Sequence, residues 1–246
     1  MSKIYAPLGG PEMSKKEHLT RLLALILCEL FTAATIVMVA VNGRYNRLPM
    51  AVATVFLLLI PVISERAFRF KICLPIYLLT LFYALGPMLG QCHNLYYILN
   101  WWDKLLHTLG GVIFALVGLF LYQKLGANGK KQVITAALFA LCFSVTISVL
   151  WEFCEFGADT FLGMDMQQDT LINHFHSYLL GDSMGVTGSV DSITDVLVNG
   201  QPLPGYIDVG LRDTMLDMLL ETLGAVAVAV FHICSKGKYS VFQVSR

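Results

Sequence analysis

Six apolar runs of spanning or near-spanning length mark the 246-residue chain, at about 22–41, 48–63, 72–90, 104–122, 133–155 and 214–234. A helix rises 1.5 Å per residue, so about 20 apolar residues cross the hydrocarbon core of a bilayer. The pattern therefore predicts an all-α, polytopic membrane helical bundle of six transmembrane helices in a single domain, 1–246. The second run is short and holds Pro49 and Pro61, which predicts a helix that is tilted, broken or extended past Ser64. The first run is longer than the roughly 7–15 apolar residues of a signal peptide, and it reads as a retained first helix. Between 156 and 212 the pattern changes. Aspartates at 159, 165, 169, 182, 191, 195 and 208 alternate with Gly- and Pro-rich turns, with no Lys or Arg before Arg212. This predicts one long extracytoplasmic loop of turns, with a short helix near 169–180.

Composition agrees with the pattern. The chain is 56% hydrophobic and 14% charged, against roughly 25% charged in a soluble domain. Its formal net charge is zero, which gives no overall attraction toward nucleic acid. Six scattered cysteines without a CxxC pair predict neither a disulfide framework nor a zinc knuckle.

Basic residues orient the spans. With the N-terminus inside, Lys3, Lys15, Lys16, Arg21, Arg66, Arg69, Lys71, Lys124, Lys130, Lys131, Lys236, Lys238 and Arg246 fall on the cytoplasmic side. Only Arg44, Arg47, Lys104 and Arg212 fall outside. Both termini are expected to be cytoplasmic, and Tyr96, Tyr97, Trp101, Trp102 and Trp151 to form an outer aromatic belt. Gly110, Gly111, Ala115 and Gly118 on the fourth helix, with Gly224, Ala225 and Ala229 on the sixth, suit close helix packing.

That orientation gathers the buried charges. Asp103 and His107 sit four residues apart in the first turns of helix four, on one face. Glu152 and Glu155 fall at the outer end of helix five, with Asp159 a turn beyond. Asp213, Asp217 and Glu221 repeat at spacing four in the first turns of helix six, covering about 12 Å. Ionisable groups at such depth are costly and mark a functional site by default. Carboxylates in close company cannot all ionise without protons or a cation. Oxygen ligands with one imidazole suit Mg, Mn, Fe or Zn. The expected divalent-metal ligands are Asp103, His107, Asp213, Asp217 and Glu221, with Glu152 and Glu155 in catalytic roles. The competing expectation is an interhelical hydrogen-bond network that holds helices four to six together. Glu29, His93 and His232 are expected outside the cluster; His174 and His176 either form a solvated or locally packed pair or cap the site as further ligands, and no nucleophile elbow accompanies Ser177.

The stretches WDKLLHTLGG, WEFCEFGAD and DTMLDMLLETLGA, in this order, resemble the YjdF-like family of bacterial inner-membrane proteins. That family carries a D-x3-H-x3-G helix, a (W/Y)E-x2-E segment and a DT-x2-D-x6-GA helix. The resemblance covers about 102–230 and picks out Asp103, His107, Glu152, Glu155, Asp213, Asp217 and Gly224. It implies a bacterial inner-membrane location and no particular activity.

Three functions remain open at this point. One is a metal-dependent membrane hydrolase acting on a lipid-linked or amphipathic substrate, although phosphate substrates usually need more Arg and Lys contacts. Another is a cation- or proton-coupled transporter. The third is a non-catalytic membrane scaffold or sensor. The bilayer itself is the one partner the sequence implies.

Overall fold

The computed structural model describes residues 14–125, 132–238 and 242–244. Lys3, Lys130, Lys131 and Arg246, which enter the orientation argument, lie outside the described residues. Six helices are long and apolar enough to cross a membrane. They are α1 (Lys15–Val41), α2 (Leu48–Phe68), α3 (Leu74–Cys92), α5 (Trp102–Lys124), α6 (Gln132–Leu162) and α7 (Leu211–Cys234), with a single-turn α4 (Leu95–Ile98) before α5. Side chains such as Leu27, Leu30, Val37 and Phe56 stay exposed on them, as lipid permits. The second run is one continuous helix through Pro61, ending at Phe68. The extension past Ser64 is therefore the alternative realised.

The chain forms two compact units, residues 1–145 with 220–246 and residues 146–219. In the first, α1, α2 and α3 are tied at both ends by polar contacts. At one end the buried Arg21 guanidinium donates to Glu65 and to the Ile72 carbonyl, and lies 4.0 Å above the Tyr77 ring. Glu65 also accepts from the Ile72 amide at 2.8 Å and pairs with Lys71 at 3.2 Å. Ile72 closes the short strand β1 (Phe70–Ile72), which pairs with β8 (Phe242–Val244). At the other end Arg47 donates to Asn94 Oδ1 at 2.7 Å, and Thr35 meets His93 Nε2 at 3.1 Å. Asn94 turns the chain in the left-handed region, φ 62°, which asparagine tolerates better than most residues.

Small residues set the spacing around α5, as the sequence predicts. Ala115, Ala136, Ala140 and Ala225 are core residues where α5, α6 and α7 meet in this unit. A Cβ on Gly111 would overlap the Glu221 carbonyl oxygen, and one on Gly224 would overlap the Thr108 carbonyl oxygen. The Ser144 hydroxyl donates to the Gly111 carbonyl at 3.1 Å. Trp102 does not join an aromatic belt; it is buried and its indole N–H donates to the Gly86 carbonyl.

The second unit contains the C-terminal part of α6, the first turns of α7 and the segment between them. α6 runs to Leu162, seven residues past the predicted run, and no short helix forms near 169–180. That stretch holds β2 (Leu171–Ile172), β3 (Phe175–Ser177) and a 3-10 turn, Tyr178–Leu180. β2 pairs with β7 (Tyr206–Ile207), β3 with β4 (Gly188–Val190), and β5 (Val196–Val198) with β6 (Gln201–Leu203), all antiparallel. Gly and Asn turns with alternating apolar residues favour such ladders over a helix.

Two glycines separate close packing from mere flexibility. Gly111→Ala forces α5 away from α7 and should cost about 1–3 kcal/mol. Gly157→Ala, with nothing within 4 Å of the new methyl, should be neutral or gain roughly 0.5–1 kcal/mol. Thermal unfolding of the purified full chain checks the contrast. Equal midpoints for the two variants would mean the α5–α7 contact is looser than described.

Candidate functional site

The site in the first unit begins where α5 begins. Trp101 supplies no side-chain cap, and Asp103 is the acidic residue of the first turn, where a negative charge complements the helix dipole. The Trp102 indole and the tight fit of Gly86 against Leu106 hold this turn on α3. One turn on, the buried His107 presents Nε2 at 3.8 Å from Asp103 Oδ1. Its other ring nitrogen, Nδ1, stands 3.8 Å from Glu221 Oε2. The imidazole thus sits between two carboxylates, at ion-pair rather than hydrogen-bond range from each. Lys104 pairs with the other Asp103 oxygen at 3.3 Å.

Glu221 is 4% exposed, and its Oε1 has no hydrogen-bond partner among the described residues. Its carboxyl carbon and the Tyr83 hydroxyl both face Gly110, where a Cβ would stand 3.7 Å from the one and 3.0 Å from the other. Tyr83 is a neighbour that sequence reasoning missed. The available signal was a phenol hydroxyl in mid-run, four residues before Pro87. Proline lacks an N–H, so the Tyr83 carbonyl loses its usual helical donor.

In the second unit Glu152, Glu155, Asp213 and Asp217 are all buried, Asp217 completely. Glu155 accepts from the Trp151 indole N–H at 2.7 Å, one turn away on the same helix. Asp213 Oδ2 accepts from the Gln168 amide at 3.0 Å, so this acid also anchors the loop. Asp159 accepts from the Met166 and Gln167 amides at 2.6 and 2.8 Å, which makes it a turn-closing residue. Asp208 does the same for Thr170 and Arg212.

The remaining polar residues fall into other roles. His174 contacts Asn173 and His176 lies on β3, both exposed. The Ser177 hydroxyl accepts from the Leu179 amide, a turn role rather than a nucleophilic one. His93 stacks on Phe31. Glu29, on α1, has a buried Oε1 without a hydrogen-bond partner among the described residues.

Asp103 and His107 in the first unit, and Asp217 in the second, are side chains of metal-ligating type. The fold and these residues define a class: an integral membrane protein of six apolar helices with buried carboxylates and an imidazole. The chain belongs to the family of predicted membrane proteins DUF2238, whose model matches residues 23–237. An uncharacterized protein of Thermotoga maritima is 35% identical over 148 residues, 59% of this chain. The match covers 54% of that relative, so the chain spans about half its length. No solved structure matches the chain.

Outside the spans, the loop carries a titrating group. Partial desolvation raises Asp165 above the ordinary aspartate range, and repulsion from Asp169 and Asp159 adds to this. An acid with a raised folded-state value leaves the loop most stable below its ordinary value of about 4. That stability is lost as pH rises through the raised value. Hydrogen-exchange protection factors of amides 164–170 should therefore fall as pH rises above about 4, and Asp165→Asn should flatten the dependence. A wild-type profile that rises with pH would contradict the assignment.

Proposed function

We propose that the chain is a six-span membrane protein with both termini cytoplasmic, whose buried acids and His107 hold a divalent cation in a membrane-embedded hydrolase-type enzyme. The observation that carries this reading is the His107 imidazole between Asp103 and Glu221, whose Oε1 no donor reaches among the described residues. Asp217 lies one turn before Glu221 on α7, hence on the same face. Asp103, His107 and Asp217 would supply the principal ligands, with Asp213 and Glu221 as further carboxylates. The donor chemistry fits: oxygen with one imidazole nitrogen suits Mg, Mn, Fe or Zn. A bound divalent ion supplies Lewis acidity and an activated water.

The chain's own residues have separable tasks in this reading. Asp103 orients His107, Glu155 is held by the Trp151 indole, and Glu152 or Glu155 accepts a proton. A site buried within apolar helices suits a lipid-linked or amphipathic substrate. The resemblance of helices four to six to YjdF-like proteins, and with it a bacterial inner-membrane location, supports the same residues.

A second reading, a cation- or proton-coupled transporter, draws on Glu29. Its Oε1 in α1 also lacks a donor among the described residues, and carboxyls within spans serve proton and ion pathways.

The test is metal analysis of the purified full chain with Mg, Mn, Fe and Zn. A cation that binds the folded state should stabilise wild type by about 2.7 kcal/mol at a hundred times its dissociation constant. Asp103→Ala, His107→Ala and Asp217→Ala should lose that stabilisation. Wild type that neither retains nor is stabilised by any of these ions rules out the metal reading. Proton flux into liposomes that is abolished by Glu29→Gln would favour the transporter.

A further inference from the structure

At the end of the first unit held by Arg21 and Glu65, a cavity of about 410 Å³ opens between the starts of α1 and α3. We propose that it binds the phosphate headgroup of an anionic phospholipid. Lys16 and Lys71 line it from two different elements, along with Thr20 and Cys73; Glu17 is the one acid in the lining. The Arg21 charge is spent on Glu65, the Ile72 carbonyl and the Tyr77 ring. Those contacts instead fix the cavity wall, because Ile72 is held on both its N–H and its C=O.

Lys71 gives one donor to Glu65 while nearly half of its side chain stays exposed, and an ammonium carries three donors. Lys16 is exposed. The first turn of α3 has no side-chain cap, and of its lining residues Leu74 and Pro75 only Leu74 has an N–H to add to the positive wall.

What selects a lipid over a free anion is the apolar flank. Leu19, Leu22 and Leu23 on α1 and Leu78 on α3 are exposed one to two turns from the cavity mouth. A phosphate in the cavity would therefore place acyl chains along leucines already facing the hydrocarbon. Basic pockets between helix ends at the bilayer surface are suited to such headgroups.

The experiment is native mass spectrometry of the full chain with phosphatidylglycerol or phosphatidylcholine of matched acyl chains. One phosphatidylglycerol should be retained in preference, and Lys16→Gln and Lys71→Gln should each weaken that preference about five-fold. Arg66→Gln, an exposed charge outside the lining, should leave it unchanged. Should Lys71→Gln lower the thermal midpoint, Lys16→Gln alone decides. Neutral alkylation of Cys73, resolved by peptide against Cys142 and Cys234, should slow with phosphatidylglycerol in wild type only. Equal retention of the two lipids, or a preference that survives Lys16→Gln, overturns the proposal. Competition by inorganic phosphate as effective as by phosphatidylglycerol would assign the cavity to a free anion and overturn it too.

Discussion

Where α5 crosses α7 in the first unit, Gly111 lies against the Glu221 carbonyl and Gly224 against the Thr108 carbonyl. No Cβ separates the two backbones there. In lipid, the hydrophobic effect does not press helices together, so dispersion and close backbone approach must do so. The same crossing delivers a carboxylate to an imidazole, because Glu221 is the residue that Gly111 touches and His107 is one turn back on α5. Packing and chemistry thus share residues. A substitution that loosens the crossing also moves Glu221 from His107.

Elsewhere the spans dispose of their polar groups internally. The hydroxyls of Thr32, Thr35, Thr54 and Thr108 each donate to a carbonyl four residues back. Arg21 and Glu65 satisfy one another along with the Ile72 backbone. A bilayer offers no water to settle such debts, so pairing within the protein is the expected solution. Among the described residues Glu221 Oε1, Glu29 Oε1, Gln132 Oε1 and Ser148 Oγ are exceptions, and the two carboxylates each carry one of the two functional readings.

The spans were legible because a 20-residue apolar run is a one-dimensional signal that lipid makes nearly independent of tertiary context. Asp103 and His107 were legible for a related reason: charge in such a run is rare, and spacing four fixes a shared face. Tyr83 was legible only as a mid-run phenol before Pro87; its place beside Gly110 is a pairing written nowhere in local sequence. The loop was misread at 169–180 because short antiparallel ladders depend on distant partners, as Leu171 does on Ile207 and Ser177 on Gly188. Trp102 was assigned to a belt by residue type, whereas the carbonyl of Gly86 on α3 decides its place. Asp159 counted as an acid near the cluster, yet its two backbone amide donors show that its charge is already used.

The choice between structural glue and a ligand site turns on saturation. A network retained only to hold helices together gains nothing from an acceptor without a donor, since each unsatisfied group in hydrocarbon costs several kcal/mol. Lys104 brings one ammonium to the first unit's site, and it lies on Asp103. Glu221 is left beside His107 at 3.8 Å, too long for a hydrogen bond and suited to a small group held between them. Proton and metal cation both satisfy that electrostatic demand, but they differ in geometry. A proton neutralises one carboxyl and leaves the imidazole 3.8 Å from two acids, whereas a divalent ion engages oxygen and nitrogen together. One ring nitrogen faces Asp103 and the other Glu221, so an ion at either nitrogen would leave the other oriented by its carboxylate, as the outer shell of a metal-bound histidine requires.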